Sequence, residues 1–289
     1  MQEYDFLVIG TGSGLDVANV AANRGMSVAV VERGAIGGTC LNRGCIPSKM
    51  LLYHADVMET IERAGDFHID VDVSGVDFET IVREVNQEVA DDSASIRQGL
   101  RSSSRHDLYE GEASFVDERT VEISGGDADG ETLRAETILI AAGTRPSIPA
   151  IEGIETVEYL TSTEALQLTE PPDHLVIVGG GYIAAELGHF FGAFGSDITI
   201  IGRRPTLLPE ADDEVARAFT DRYADRFTVY TGHAATAVSS DSGSVTVEAR
   251  PYEYGEEGGL DLEAPPVEVT GDELLIAAGR RPNSDTLNL

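Results

Sequence analysis

Both cysteines of this chain fall within Gly37–Lys49, which reads GGTCLNRGCIPSK and also holds the only lysine among 289 residues. Cys40 and Cys45, separated by four residues, could open and close a disulfide. Extended, the steps between them span about 17 Å, whereas a disulfide needs Cα atoms about 4.4–6.8 Å apart. The segment is therefore expected to fold back, with a turn at Asn42-Arg43-Gly44. Cys45 then sits just before a helix led by Pro47, where the helix dipole stabilises a thiolate. Cys40, in a looser glycine-rich approach, is better placed to reach a substrate, and such asymmetry suits thiol–disulfide exchange. Two other readings stay open. Small apolar residues meeting by chance fit poorly beside so many glycines. A zinc site needs four ligands, and the nearest histidine, His54, falls mid-helix, so no metal is expected. Lys49 lies four residues after Cys45 on the same helix face. Arginine fills every other basic position, so a compact ammonium is wanted at Lys49.

Two glycine-rich turns flank this stretch. Tyr4–Ile9 reads as a buried strand, Gly10-Thr-Gly12-Ser-Gly14 as a turn, Leu15–Arg24 as a helix and Ser27–Val31 as a second strand ending at Glu32. This strand, turn, helix, strand unit binds half of a dinucleotide: glycines admit the pyrophosphate, the helix N-terminus attracts it, and Glu32 can accept from ribose hydroxyls. The third fingerprint position is Leu15 rather than Gly or Ala, so Gly14 is expected to provide the close helix–strand packing. The second unit runs through a strand at Leu175–Val178, the turn Gly179-Gly-Gly181-Tyr-Ile-Ala184, a helix at Ala185–Phe194 ended by Gly195, and a strand at Ile198–Ile201. Its GxGxxA spacing is complete. The similar segments Thr137–Pro146 (TILIAAGTRP) and Leu274–Pro282 (LLIAAGRRP) suggest equivalent strand exits from the two units.

Between these units, helices are expected at Pro47–Ala64, with proline in the first turn, and at Ser74–Leu100. Short antiparallel strands are expected over Leu108–Ile123, a turn at Ser124–Gly130 and a buried strand at Thr137–Ala142. Further strands are expected over Arg222–Gly271 around a Gly/Glu-rich loop at Tyr252–Gly259, then a last strand at Leu274–Ala278. The fold class is α/β with two Rossmann-like, three-layer ββα dinucleotide-binding domains, at 1–150 and 151–271. Residues 272–289 begin a return to the first.

The 51 acidic and 20 basic residues give a formal net charge of −31, with the acids spread along the chain. Such a surface stays solvated in concentrated salt, where the Debye length shrinks to about 3 Å at 1 M. This predicts a halophile's cytoplasmic protein and argues against nucleic acid or anionic membrane partners. No apolar run approaches the roughly 20 residues of a membrane span, and MQEYDFLVIG lacks a signal peptide's basic start.

GGTCLNRGCIPSK closely resembles the active-site signature of the flavin-dependent pyridine nucleotide–disulfide oxidoreductases, the group of dihydrolipoyl dehydrogenase, glutathione reductase, mycothione reductase and mercuric reductase. Glu32, the AAG exits at 141–143 and 277–279, and GGGYIAAE at 179–186 extend the resemblance over nearly the whole chain. It implies FAD at the first unit, with Gly10, Gly12, Gly14, Glu32, Gly38, Thr39, Ala142 and Gly143. A nicotinamide dinucleotide is implied at the second, with Gly179, Gly181, Ala184 and Gly279. It further implies that Cys45 faces the flavin and Cys40 exchanges with substrate. Lys49 contacts the flavin and pairs with Glu186, while Tyr182 covers the flavin until the nicotinamide enters. At the 2′-position selector stands Gly202 instead of an acid, followed by Arg203 and Arg204, which favours NADPH over NADH. GTGSG and IPSKM look most like mycothione reductase, so a small thiol's disulfide is the expected substrate. Dihydrolipoyl dehydrogenase with NAD is the alternative, then mercuric reductase. The family also has a C-terminal interface domain that donates a His–Glu pair across a homodimer. That domain is not in this sequence, so a fragment is expected, or else a non-catalytic flavin- and nucleotide-binding protein.

Overall fold

Alternating Val, Ile and Leu runs separated by glycine turns build two parallel sheets. The computed structural model describes residues 1–255 and 258–289. In the first part of the chain the elements are β1 (Gln2–Ile9), α1 (Ser13–Asn23), β2 (Val28–Glu32), α2 (Gly38–Arg43), α3 (Cys45–Glu62), α4 (Phe78–Ser102), β3 (His106–Glu110), β4 (Glu112–Asp117), β5 (Thr120–Ser124) and β6 (Thr132–Ile140). The sheet order is β3-β2-β1-β6-β5-β4. β1, β2, β3 and β6 are parallel neighbours, whereas β4 and β5 form an antiparallel arm.

The two-residue period of a strand divides this sheet's faces. Val8, Val28 and Val30 pack against Ala18, Ala21 and Ala22 of α1. Leu7, Ile9, Ala29 and Val31 pack with Ala113, Val121 and Ile123 of the arm. Helix, parallel sheet and antiparallel arm make the expected three layers. Gly14 closes the helix onto the sheet: a Cβ there would lie 2.7 Å from both Val8 Cγ1 and Ala141 Cβ. The packing role expected of Gly14 in place of Leu15 is what the structure shows.

The second part adds β7 (Thr144–Pro146), α5 (Ser162–Ala165), β8 (His174–Val178), α6 (Tyr182–Ala193), β9 (Asp197–Gly202), α7 (Asp213–Ala224), β10 (Thr228–Thr231), β11 (His233–Asp241), β12 (Ser244–Pro251), β13 (Val267–Gly271), β14 (Glu273–Ile276) and β15 (Arg280–Pro282). A parallel sheet β10-β9-β8-β14 is covered on one face by the antiparallel sheet β11-β12-β13. On the other, Gly188 of α6 sits over Ile177, Ile198 and Ile200. The ββα layering is thus built twice.

Even the turns repeat. Gly10 N–H donates to Val31 O and Gly179 N–H to Ile201 O, both at 2.8 Å. Ala141 N–H reaches Ile9 O and Ala277 N–H reaches Val178 O, again at 2.8 Å. The equivalence read from TILIAAGTRP and LLIAAGRRP is therefore a structural one.

Several expectations need correction. The division expected near residue 150 falls at 145/146, but neither unit is one continuous stretch. One compact unit comprises 1–47, 85–145 and 281–289, and the other 48–84 and 146–280. Residues 48–84 join the second unit because Phe78 packs on Phe190, Phe191 and Phe194 at centroid distances of 5.3, 6.3 and 5.2 Å. Charged pairs add to this: Asp56 meets His189 at 3.0 Å and Glu59 meets Arg226 at 2.5 Å. β3 joins β2 in parallel rather than an antiparallel meander. β6 starts earlier than expected, at Thr132, and alternates in burial, with Ile140 44% exposed. α7, which occupies Asp213–Ala224, was not foreseen and includes Arg222, expected in a strand; Asp212 caps it by accepting from Glu214 N–H at 2.9 Å. Of the Gly/Glu-rich loop expected at Tyr252–Gly259, residues 256–257 lie outside the described residues. Among the described residues no helix is long and apolar enough to cross a membrane.

Two stability predictions arise here. Phe78→Ala is expected to cost about 3–5 kcal/mol, the range for emptying a buried aromatic site, because Phe78 is only 7% exposed. A fall in the urea midpoint no larger than that of a surface control would contradict this. Tyr223, whose hydroxyl donates to Ala185 O at 2.8 Å, has its phenol pushed up by burial to about 12 from an ordinary 10.0. The neutral phenol is favoured in the fold, so this contribution is intact below pH 10 and is lost as pH rises through about 12. An alkaline phenolate titration should show Tyr223 ionising late, and Tyr223→Phe should remove that step.

Candidate active site

The first glycine turn needs its glycines for space as well as angle. Gly10 has φ +107°, and a Cβ there would lie 2.3 Å from Ala141 O. A Cβ on Gly38 (φ +70°) would lie 2.5 Å from Gly12 Cα, so the turn and the cysteine segment cross backbone to backbone. Glu32 holds the crossing. Its Oε2 accepts from Thr11 N–H at 2.9 Å and Thr11 Oγ1 at 2.7 Å, and its Oε1 from Gly34 N–H at 2.9 Å. Thr11 Oγ1 in turn accepts from Gly37 N–H at 3.0 Å. Sequence reading passed over Thr11 because the middle position of GTG carries no type constraint; its hydroxyl is the one local signal.

These residues wall a cavity of about 350 Å³. Gly10, Gly12 and Glu32 line it from one side, and Gly38, Thr39 and Cys40 from another. Ala142 and Gly143 close it at the end of β6, together with Asn283, Thr286 and Leu287 of the returning chain. Asn283 Nδ2 donates to Ala142 O at 2.8 Å, and Arg145 pairs with Asp285 at 2.5 Å. The Arg145 hydrogen bond holds the Asp285 carboxyl below the usual carboxylate range. Arg43 also lines the cavity. Neither Arg43 nor the returning residues had a local sequence signal beyond sitting near a motif.

Cys40 and Cys45 are joined in a disulfide with Cα atoms 4.9 Å apart. The fold-back is not the turn expected at Asn42-Arg43-Gly44. Gly38–Arg43 winds into α2, and the chain kinks at Gly44 (φ −143°, ψ −128°) directly into α3. Gly44 is required, since a Cβ there would lie 2.7 Å from Thr39 O. Asn42 Nδ2 ties α2 down by donating to Ile36 O and Gly38 O, each at 2.9 Å. Cys45 is the first residue of α3, two residues earlier than the expected start at Pro47, and both cysteines are exposed. Cys40 lines the cavity, on a short helix rather than a loose approach.

In the second unit, Lys49 Nζ is paired with Glu186 Oε1, joining α3 to α6. Its side chain is 59% exposed and that of Glu186 26%. Exposed pairs are worth about 0–1 kcal/mol, so Lys49→Met and Glu186→Gln are each expected to shift urea stability by no more than about 1 kcal/mol. A larger drop in the urea midpoint of either variant would contradict this. Gly179 (φ +138°) would place a Cβ 2.1 Å from Ala277 O, whereas Gly181 faces open space, as does Gly279 at φ +123°. Tyr182 opens α6 and is 61% exposed, whereas Ala184, two residues on, is fully buried. Arg203 and Arg204 stand over the rings of Tyr252 and Tyr254.

Both turns fit the phosphates of a dinucleotide. Among the described residues no side chain caps α1 or α6 at Gly12 or Gly181. Their first-turn N–H groups and dipoles are therefore available to an anion. The first turn is held by the Gly12–Gly38 crossing, and the second leaves open backbone at Gly181, so each offers donors and room to a pyrophosphate.

The family described as pyridine nucleotide-disulphide oxidoreductase matches residues 4–288. A mercuric reductase of Staphylococcus aureus is 33% identical over 289 residues, covering 99% of this chain and 50% of the relative. A mycothione reductase of Mycobacterium tuberculosis (strain ATCC 25618 / H37Rv) is 34% identical over 295 residues, covering 100% and 60%. The structure of a Cu(II) complex of the HOCl-induced flavoprotein disulfide reductase RclA from Escherichia coli superposes with a TM-score of 0.81 at 28% identity, over 99% of this chain and 59% of that one. The chain spans about half the length of the curated relatives it matches. On this fold, this disulfide and this match, the chain belongs to the pyridine nucleotide-disulphide oxidoreductase family.

Proposed function

We propose that this chain is the cofactor- and disulfide-bearing part of an FAD-dependent NAD(P)H:disulfide oxidoreductase that prefers NADPH and reduces a small thiol's disulfide. The observation that carries the reading is the Cys40–Cys45 disulfide, with Cys40 in the wall of the cavity made by the first glycine turn. FAD, when bound, supplies a two-electron carrier between the nicotinamide and this disulfide.

The chain's own residues do the rest. Reduction leaves two thiols, and the N–H groups at the start of α3 favour Cys45 as thiolate. Cys40 Sγ attacks one sulfur of the substrate disulfide, forms a mixed disulfide and expels the first product thiolate. Cys45 Sγ then attacks Cys40 Sγ, expels the second product thiolate and restores the protein disulfide, so two electrons have passed to substrate. The expelled thiolates take up protons. Within the second unit, Lys49 and Glu186 hold an ion pair between α3 and α6, and Tyr182 stands exposed at the head of α6, where the nicotinamide dinucleotide would enter.

The lack of an acid at Gly202, with Arg203 and Arg204 following, supports NADPH. The acidic surface supports work in a salt-rich cytoplasm, and the family resemblance supports a homodimer. The motifs GTGSG and IPSKM support a low-molecular-weight thiol over lipoamide or mercuric ion. Anaerobic mixing of the flavin-loaded chain with NADPH or NADH tests the reading through bleaching of the flavin's visible absorbance. Faster bleaching by NADPH is expected. A clear NADH preference would turn the assignment to dihydrolipoyl dehydrogenase, and no reduction by either would leave a cofactor-binding protein without catalysis.

A further inference from the structure

Arg203 and Arg204 stand where β9 ends, in a chain with 51 acids to claim any cation. Each guanidinium nevertheless lies over an aromatic ring. The Arg203 guanidinium carbon lies 5.7 Å from the Tyr252 ring centroid, and that of Arg204 lies 3.8 Å from the Tyr254 centroid. The contacts are in step, with alternate residues of the loop after β12 meeting consecutive residues after β9. A backbone relay fixes the spacing. Gly232 N–H donates to Arg204 O at 2.9 Å, and Tyr252 N–H donates to Gly232 O at 2.7 Å. Beyond Tyr252, Glu253 N–H donates to Gly259 O at 3.0 Å and Asp261 N–H to Pro251 O at 2.9 Å, closing the base of the loop. Arg204 also meets one carboxylate, that of Glu210, 3.6 Å from its Nη2 and 89% exposed.

A guanidinium stacked by its face on a ring keeps its N–H edge free, and that edge matches a phosphate bidentately. An unstacked arginine would have to give up its rotamer freedom when a ligand arrives. In so acidic a protein it would also drift to the nearest carboxylate. We propose that Tyr252 and Tyr254 are positioning residues for cofactor specificity. They hold Arg203 and Arg204 edge-outward for the adenosine 2′-phosphate of NADPH. The inference rests on the NADPH reading above and adds to it two residues that lie some 50 positions from the arginines and outside every motif of the chain.

Titration calorimetry on the 289-residue chain, with adenosine 2′,5′-bisphosphate and 5′-AMP as probes, separates the two ideas. The parent chain should bind the bisphosphate more tightly. Tyr252→Leu/Tyr254→Leu should weaken bisphosphate binding by roughly 3–30-fold, the strength of a cation–π contact expressed as affinity, and leave AMP unchanged as an internal check on folding. Tyr252→Phe/Tyr254→Phe keeps the rings and should restore the parent value. If the parent prefers the bisphosphate and the leucine variant prefers it equally, the tyrosine role is overturned while the NADPH reading stands. If phenylalanine fails to rescue, the hydroxyls act rather than the rings, and the stacking argument falls. A parent chain without preference overturns the NADPH reading and this inference together.

Discussion

A flavin-loaded Cys45→Ser chain is expected to take up about half the reducing equivalents of the parent in an anaerobic titration, because the disulfide is a two-electron couple in series with the flavin. The parent holds electrons in two places, the flavin and the Cys40–Cys45 bond; the variant holds them in one. Cys40→Ser should lose the same capacity, so stoichiometry alone treats the cysteines as equal. Their surroundings do not. Cys45 is the first residue of the 18-residue α3, whereas Cys40 lies within the six-residue α2. Thiolate at Cys45 meets the uncancelled N–H groups of a long helix, so in Cys40→Ser the remaining thiol should react with iodoacetamide at lower pH than Cys40 does in Cys45→Ser. Equal electron uptake by parent and variants would show that the disulfide is structural and lies outside the relay. Equal pH profiles for the two lone thiols would remove the asymmetry from which their separate roles are argued.

What the sequence made legible, and what it hid, divides by range of interaction. Gly14 could be assigned the packing role of the missing third glycine because the constraint lies within one strand–turn–helix unit, and it packs on Val8 as expected. The twin exits after β6 and β14 were readable because the pattern LIAAGxRP occurs twice. The path of the chain between the cysteines was not. Its extent was bounded by disulfide geometry, but a turn and a short helix kinked at Gly44 satisfy that bound equally. The allocation of residues 48–84 was hidden for a deeper reason. It depends on Phe78 meeting three phenylalanines more than a hundred positions away, and on Asp56 and Glu59 finding His189 and Arg226. Local hydrophobic periodicity places such a helix in a core without saying which core. Arg203 and Arg204 show the same limit: their motif position was evident, and the tyrosines over them were not.

The two glycine turns are expected to fail separately, one cofactor each, when their first glycine gains a methyl group. Gly10 and Gly179 hold φ of +107° and +138°, where an L side chain is strained, and the added Cβ would lie 2.3 Å and 2.1 Å from the carbonyl oxygens of Ala141 and Ala277. Those carbonyls are backbone and fixed by the parallel pairing of β6 with β1 and of β14 with β8. The turn must therefore move, at a cost of at least about 2 kcal/mol from backbone strain and clash together. Each turn carries the first N–H groups of the helix that receives a phosphate, so a small displacement spoils anion binding before it unfolds the unit. Gly10→Ala should be isolated without flavin absorbance yet still bind adenosine 2′,5′-bisphosphate. Gly179→Ala should be isolated yellow and remain reducible by dithionite, down to the Cys40–Cys45 bond, while NADPH no longer bleaches it. The opposite pattern would exchange the cofactors between the turns. Loss of both cofactors in both variants, with a cooperative urea transition retained, would mean that the turns act as one site, against the symmetry of their hydrogen bonds.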